Sequence, residues 1–174
     1  AELEFNQRLK EDFGEQKNSG DWTDSYFITK DGCVFKAIGR GQSPRGLRYR
    51  SMRPDYIILD DLDDDELCRN PSRVEDLYNW VKEALFGALD LGRGRFVMAG
   101  NLISKNSVLQ KMTESDGVDV IQVNAVDEKG EPVWKDKWTK EEAKAAADFM
   151  GYYAWNKEYM HNPIVAGKIF KQEW

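Results

Sequence analysis

Tyr56-Ile57-Ile58-Leu59 is the segment that most narrows what this chain can fold into. Four apolar residues stand between Asp55 and the pair Asp60-Asp61. The run is too short for a helix and offers no polar face, so it predicts a strand buried on both faces, as in a parallel sheet. Arg95 to Ala99 is a second such run, ending at Gly100-Asn101, and Val118 to Ala125 predicts a third strand. Helical patterns lie between them. Asn70-Pro71 places an N-cap residue before a proline at the first helical position. Val74, Leu77, Trp80, Val81, Leu85 and Ala88 then form an apolar stripe that closes near Gly92. Val108, Leu109 and Met112 mark a short helix. Strands alternating with helices predict an α/β fold with a mostly parallel sheet flanked by helices.

The flanks add to this frame. Leu3, Leu9 and Phe13 share one helical face, with Gly14 as the stop. Ser25 to Lys30 and Cys33 to Ile38 are β-rich, and Asp31-Gly32 between them supplies positive φ angles for a tight hairpin. Gly39 to Pro54 reads as a loop rich in Gly, Arg and Ser. Asp127 to Gly130 is a turn. Thr139 with Glu142 forms a capping box for a helix running to about Met150, and Tyr152 to Met160 is a further helical segment. The aromatic residues of this last part are expected to pack in the core. From Asn162 onward the chain reads as an extended linker.

Length and composition set outer limits. The 174 residues amount to about one ordinary domain, and 41% are hydrophobic, enough for a packed core. No apolar run reaches the ~18 residues a membrane span needs, and no secretory leader is visible. Cys33 and Cys68 cannot make a disulfide framework, and a reducing, cytosolic setting is expected. With His161 the single histidine, a His-based metal site or triad is not expected. The net charge of −6 argues weakly against nucleic acid, but the average hides an asymmetry. From Gly32 to Pro54 there is no acidic residue, while Lys36, Arg40, Arg45, Arg48, Arg50 and Arg53 are all basic. An acidic run follows at once: Asp60, Asp61, Asp63, Asp64, Asp65 and Glu66.

Asp60 and Asp61 form the sharpest chemical signal. Open parallel sheets bind ligands at the C-terminal tips of their strands. Asp60 there could hold a Mg2+ ion that bridges nucleotide phosphates, because Mg2+ favours a few hard carboxylate oxygens plus water. Asp61 points elsewhere if strand alternation continues, and could orient or deprotonate an attacking water. This is the Walker B pattern of P-loop ATPases; the competing reading is a solvated acidic loop. A calcium loop counted from Asp60 fails, since Asp65 stands where glycine is needed and Pro71 where glutamate is needed. Gly100-Asn101 places an amide beside the same crevice, to sense the γ-phosphate or position water, or simply to turn the chain.

Gly41 to Gly46 matches G-x-x-x-x-G, but Leu47 and Arg48 follow in place of Lys and Ser/Thr. No Walker A loop is present. The loop arginines therefore carry one of three roles. Arg45 could act as an arginine finger on a neighbouring subunit's nucleotide. The loop could grip a DNA backbone. Or it could be a solvated basic loop balanced by the nearby acids.

The order of segments resembles a known family. Phe13-Gly14, Gly39-Arg40-Gly41-Gln42-Ser43, Arg45-Gly46-Leu47-Arg48 and Arg53-Pro54-Asp55 leading into Tyr56 to Asp61 all fit, followed by Gly100-Asn101, Gly151-Tyr152-Tyr153, Asn162-Pro163 and Gly167 to Trp174. From near residue 5 to its end, the chain resembles the large terminase subunit of tailed bacteriophages, the motor that packages DNA into capsids. The resemblance implies a partial P-loop ATPase of the ASCE class with an N-terminal β-hairpin. Residues 1–162 would be the C-terminal portion of the ATPase domain, without its Walker A part, and 163–174 the start of a linker to a nuclease domain. ATP and Mg2+ are the implied cofactors. Asp60 falls at the Walker B aspartate and Asp61 where most members have a catalytic glutamate, which leaves Glu66 as an alternative for orienting water. Gly100 and Asn101 fall at the coupling motif, where a small hydroxyl residue is commoner, and Arg45 at an arginine that acts on a neighbouring subunit. The implied partners are double-stranded DNA, the phage portal, the small terminase subunit and further copies in a ring, with no membrane, in the cytoplasm of the bacterial host. Two rivals stand beside it. One is a non-enzymatic nucleic-acid or partner-binding module using Arg40 to Arg53. The other is a metal-dependent nuclease built on the acidic cluster.

Overall fold

A computed structural model describes residues 2–20 and 22–164. The linker expected over 163–174 lies almost wholly outside them. The fold is mixed α/β. It contains one antiparallel hairpin, β1 (Tyr26–Ile28) with β2 (Val34–Lys36), and one parallel pair, β3 (Tyr56–Asp60) with β4 (Arg95–Ala99). The helices are α1 (Glu2–Phe5), α2 (Gln7–Phe13), α3 (Asp65–Cys68), α4 (Pro71–Asn79), α5 (Phe86–Ala88), α6 (Val108–Thr113), α7 (Lys140–Met150) and α8 (Tyr152–Tyr159). Among the described residues no helix is long and apolar enough to cross a membrane.

The pair β3–β4 is the centre of the fold. Tyr56 lies opposite Arg95 and Asp60 opposite Ala99, so the strands start and end together. Their crossover is the helical run that opens at Pro71. Asn70 caps it, its Oδ1 accepting from the Ser72 and Arg73 amides. The run is not one regular α-helix. Trp80–Leu85 forms a π-helical stretch between α4 and α5, and Trp80 donates its indole N–H to the Gln42 carbonyl, 3.1 Å away. Helical geometry ends at Ala88, short of Gly92. Leu89 is already extended, with ψ 151°.

One face of β3–β4 meets this helix. Leu59, Leu67, Val74, Leu77, Val81, Leu85 and Val108 form the core, with Phe96 and Met98 packed against them. The opposite face is open: Ile58 is 60% exposed and Val97 40%. The expected burial on both faces is thus corrected to burial on one, because no second helical layer covers the other side among the described residues. The expected third strand is also absent. Val118 to Ala125 has no ladder partner among the described residues, and Ile121 is 90% exposed. A β-patterned sequence becomes a strand only when a neighbouring edge accepts its N–H and C=O groups.

The N-terminal region differs in detail. Asn6 interrupts the first helix and caps α2, accepting from the Arg8 and Leu9 amides. Of the expected apolar face, Leu3 and Leu9 are half-buried and Phe13 is exposed. In the hairpin only Gly32 has positive φ (82°); Asp31 does not. The Gly32 amide donates to the Thr29 carbonyl and the Thr29 amide to the Cys33 carbonyl, each at 2.9 Å. This is a turn closed by a left-handed glycine, in place of a two-residue turn. The capping box of α7 forms as expected. Of the C-terminal aromatics, Trp155 is buried and stacks with Trp138 and Tyr159, whereas Trp134 and Phe149 are exposed.

Gly94 permits the tight return into β4. A Cβ there would lie 2.3 Å from Leu89 Cγ and 2.5 Å from the Asp90 carbonyl oxygen. Gly94→Ala is expected to destabilise the chain by about 1–3 kcal/mol, as overpacking does. Urea unfolding monitored by tryptophan fluorescence measures the change.

Candidate functional site

The site lies where β3 and β4 end. Asp60 is the last residue of β3, and strand alternation turns it away from the buried Leu59 and into solvent. Asp61 does not continue the strand. Its backbone is left-handed, with φ 45°, and its amide donates to the Ala99 carbonyl at 3.1 Å. This bend, not strand alternation, sets the direction of its carboxylate. Asp61 Oδ1 lies 3.5 Å from where a Gly100 Cβ would stand, so the two strand tips touch at this point. That distance is an ordinary contact, and steric need does not explain a glycine at position 100.

Two cavities meet at Asp61. One, of about 360 Å³, is lined by Asp61, Gly100, Asn101 and Lys157, among others. The other, of about 760 Å³, runs along β3 and is lined by Asp60 and Asp61 together with Lys36, Arg40, Arg48 and Arg53. The structure thus brings Asp60, Asp61, Gly100 and Asn101 to one edge. Arg45 is exposed and lines neither cavity.

The rest of the acidic run is occupied. Asp63 accepts from the Val108 and Leu109 amides, each at 2.8 Å, and so holds the first turn of α6. Asp64 caps α3 through the Leu67 amide and pairs with Arg40 at 2.6 Å. Asp65 pairs with Lys157 at 2.6 Å and Glu66 with Arg73 at 3.0 Å. Asp65 and Glu66 stay exposed, as a solvated acidic loop predicts, yet each of the four acids has a hydrogen-bond or ion-pair partner. Glu66 turns toward α4, which does not favour it as the residue that orients water. Among the described residues, only Asp60 and Asp61 of the run carry carboxylates with no hydrogen-bond or ion-pair partner.

The arginine loop divides in the same way. Arg40 also donates to the Leu62 carbonyl, and Arg53 donates to the Gly87 carbonyl at 2.9 Å. These two hold the loop to the fold. Arg50 lies over the Tyr49 ring at 5.3 Å. Arg45 and Arg48 have no side-chain partner among the described residues.

No group of three or more His, Cys, Asp or Glu side chains converges on a metal position among the described residues. Two exposed, unpaired carboxylates at a strand tip still fit Mg2+, which takes one or two protein oxygens and fills its shell with water and phosphate. The role of Asp63 was missed at sequence level, because its partners lie 45 and 46 positions away. The Asp64 cap was legible in principle, since Asp is a strong N-cap residue. Lys157 and His161 gave no usable signal. Searches against known protein families, curated proteins and solved structures find no match to this chain.

The Leu67 amide, followed by Arg40, holds the Asp64 carboxyl below its ordinary 3.8. A lowered carboxylate stabilises the fold above its unfolded value and loses that contribution as pH falls through the folded one. Stability should therefore drop below about pH 3.8 more steeply in the parent than in Asp64→Asn, measured by urea unfolding across that range. Burial, followed by the neighbouring Asp63, pushes the Cys68 thiol up to about 11. Iodoacetamide at pH 8 should alkylate exposed Cys33 and leave Cys68 intact in the folded chain, as peptide mass spectrometry would show.

Proposed function

We propose that this chain is the Walker B and coupling portion of an ATP-hydrolysing motor of the large-terminase type. The observation that carries the reading is the in-register parallel pair, which delivers Asp60-Asp61 and Gly100-Asn101 to the same edge. That is where open α/β sheets bind ligands. The partition of the acidic run supports it, since the two carboxylates left free are the ones the reading requires. The open face also fits a larger domain. Ile58 and Val97, on that face, are 60% and 40% exposed.

In this reading Asp60 holds Mg2+, with ATP as the nucleotide. A Mg2+ ion held there would neutralise charge that develops on the β- and γ-phosphates. Asp61, turned by its left-handed backbone, orients the attacking water and accepts its proton. Asn101 lines the same cavity as Asp61, and its amide senses the γ-phosphate. Arg45, exposed on its loop, serves the nucleotide of a neighbouring subunit in a homo-oligomeric ring. The phosphate-binding loop, absent from these 174 residues, belongs to another part of the polypeptide, and a nuclease domain follows the linker. Double-stranded DNA is the moving substrate, and the portal and small terminase subunit are partners in the bacterial host cytoplasm.

In the full-length protein, Asp60→Asn should reduce ATP turnover to background while leaving the fold intact. Undiminished turnover in a coupled ATPase assay would rule the assignment out. The isolated 174-residue chain should show no Mg2+-dependent turnover.

A second reading, a nucleic-acid-binding module, draws on the unpaired Arg45 and Arg48. It predicts DNA binding by the isolated chain that survives Asp60→Asn. It also predicts a log–log salt slope of about −0.9 per phosphate contacted, reduced by about one unit in Arg48→Ala. Fluorescence anisotropy at several salt concentrations separates the two readings.

A further inference from the structure

We infer that the C-terminal end of α8 clamps the two strand-tip loops of the crevice together, with His161 and Lys157 as its positioning residues. Lys157 reaches Asp65, the first residue of α3, where the loop that follows β3 ends. His161 reaches the loop that follows β4: the Leu102 amide, next to Asn101, donates to His161 Nδ1 at 3.4 Å. The two halves of the site are therefore joined at their tips and again through one helix.

The partners fix the tautomer of His161. Nδ1 accepts an N–H, so it carries no proton. Nε2 lies 3.1 Å from the Val123 carbonyl oxygen, which can only accept, so Nε2 donates. Both ring nitrogens are used, and the imidazole spans Leu102 and Val123. His161 holds this place with φ 48°, a left-handed backbone that turns the chain back after α8. A second bond fixes the same segment, as the Ala125 amide donates to the Tyr159 carbonyl at 2.9 Å. Asn101 is held from its own side by a tight turn in which its carbonyl accepts from the Ile103 amide at 2.9 Å. Displacing Leu102 therefore displaces Asn101.

The legs are unequal. The Lys157–Asp65 pair is solvent-facing, with Asp65 62% exposed, and pairs of this kind hold weakly. His161 bonds two backbone groups at once, and an apolar ring in its place would return the Leu102 amide and the Val123 carbonyl to water and unlink the two segments.

Amide hydrogen exchange by NMR on the 174-residue chain tests the clamp. His161→Phe should speed exchange at Leu102 about two- to tenfold and shift the Gly100 and Asn101 resonances, with core Val81 unchanged. His161→Gln supplies an acceptor oxygen and a donor nitrogen, and should restore protection. Lys157→Met should shift Asp61 to Asp65 with a smaller change in exchange. Unaltered Leu102 exchange in His161→Phe, or equal loss in the Phe and Gln variants, would overturn the proposal. Should His161→Phe fail to fold, imidazole ¹⁵N shifts of the parent decide: a bare Nδ1 is expected, and a proton on Nδ1 contradicts it. The catalytic consequence alone rests on the ATPase reading. There the Phe variant of the full-length protein should lose kcat and the Gln variant keep it. The exchange result needs no nucleotide, so the clamp and the ATPase reading can fail separately.

Discussion

The backbone ladder between β3 and β4 is the interaction on which the rest depends. A parallel pair makes a direct turn impossible and requires a crossover, here supplied by the helical run from Pro71 to Ala88. That run brings Val74, Leu77, Val81 and Leu85 onto Leu59 and so creates the core. The same ladder ends with the Asp61 amide on the Ala99 carbonyl, which fixes how far each strand tip projects. Core and crevice are therefore opposite consequences of one pairing.

Charge is partitioned between paired and unpaired groups within a few residues of that pairing. Adjacent acids that would repel one another are separated by giving most of them partners: helix amides for Asp63 and Asp64, cations for Asp64, Asp65 and Glu66. Arg40 links the basic loop to the acidic one through Asp64. The near-cancellation of the two runs in the net charge is thus partly a physical contact. Among the described residues Asp60 and Asp61 keep carboxylates without a partner, and Arg45 and Arg48 keep guanidinium groups without one.

Local signals were legible where local physics decides. Asn70-Pro71 and Thr139 with Glu142 start helices because their side chains bind amides two or three residues on. Tyr56 to Asp60 and Arg95 to Ala99 were readable as strands, and Asp60-Asp61 with Gly100-Asn101 as their tips. The failures came where a distant partner decides. Val118 to Ala125 has strand chemistry and no edge to join among the described residues. Phe13 belongs to a helical apolar face, and nothing among the described residues covers it. Asp63 read as part of a solvated acidic loop because its donors come from α6, and the bonds of His161 were not legible because its partners lie 38 and 59 positions away.

The left-handed backbone of Asp61 bears on the chemistry a side chain can bring to that position. With φ at 45°, the residue pays a steric cost that short polar side chains such as Asp and Asn bear most easily. A longer acid would gain reach but would sit less comfortably on this bend. If Asp61 orients water as proposed, aspartate in place of glutamate trades carboxylate reach for an easier fit to the bend. Substitutions at position 61 should accordingly be filtered twice, first by the bend and only then by the charge.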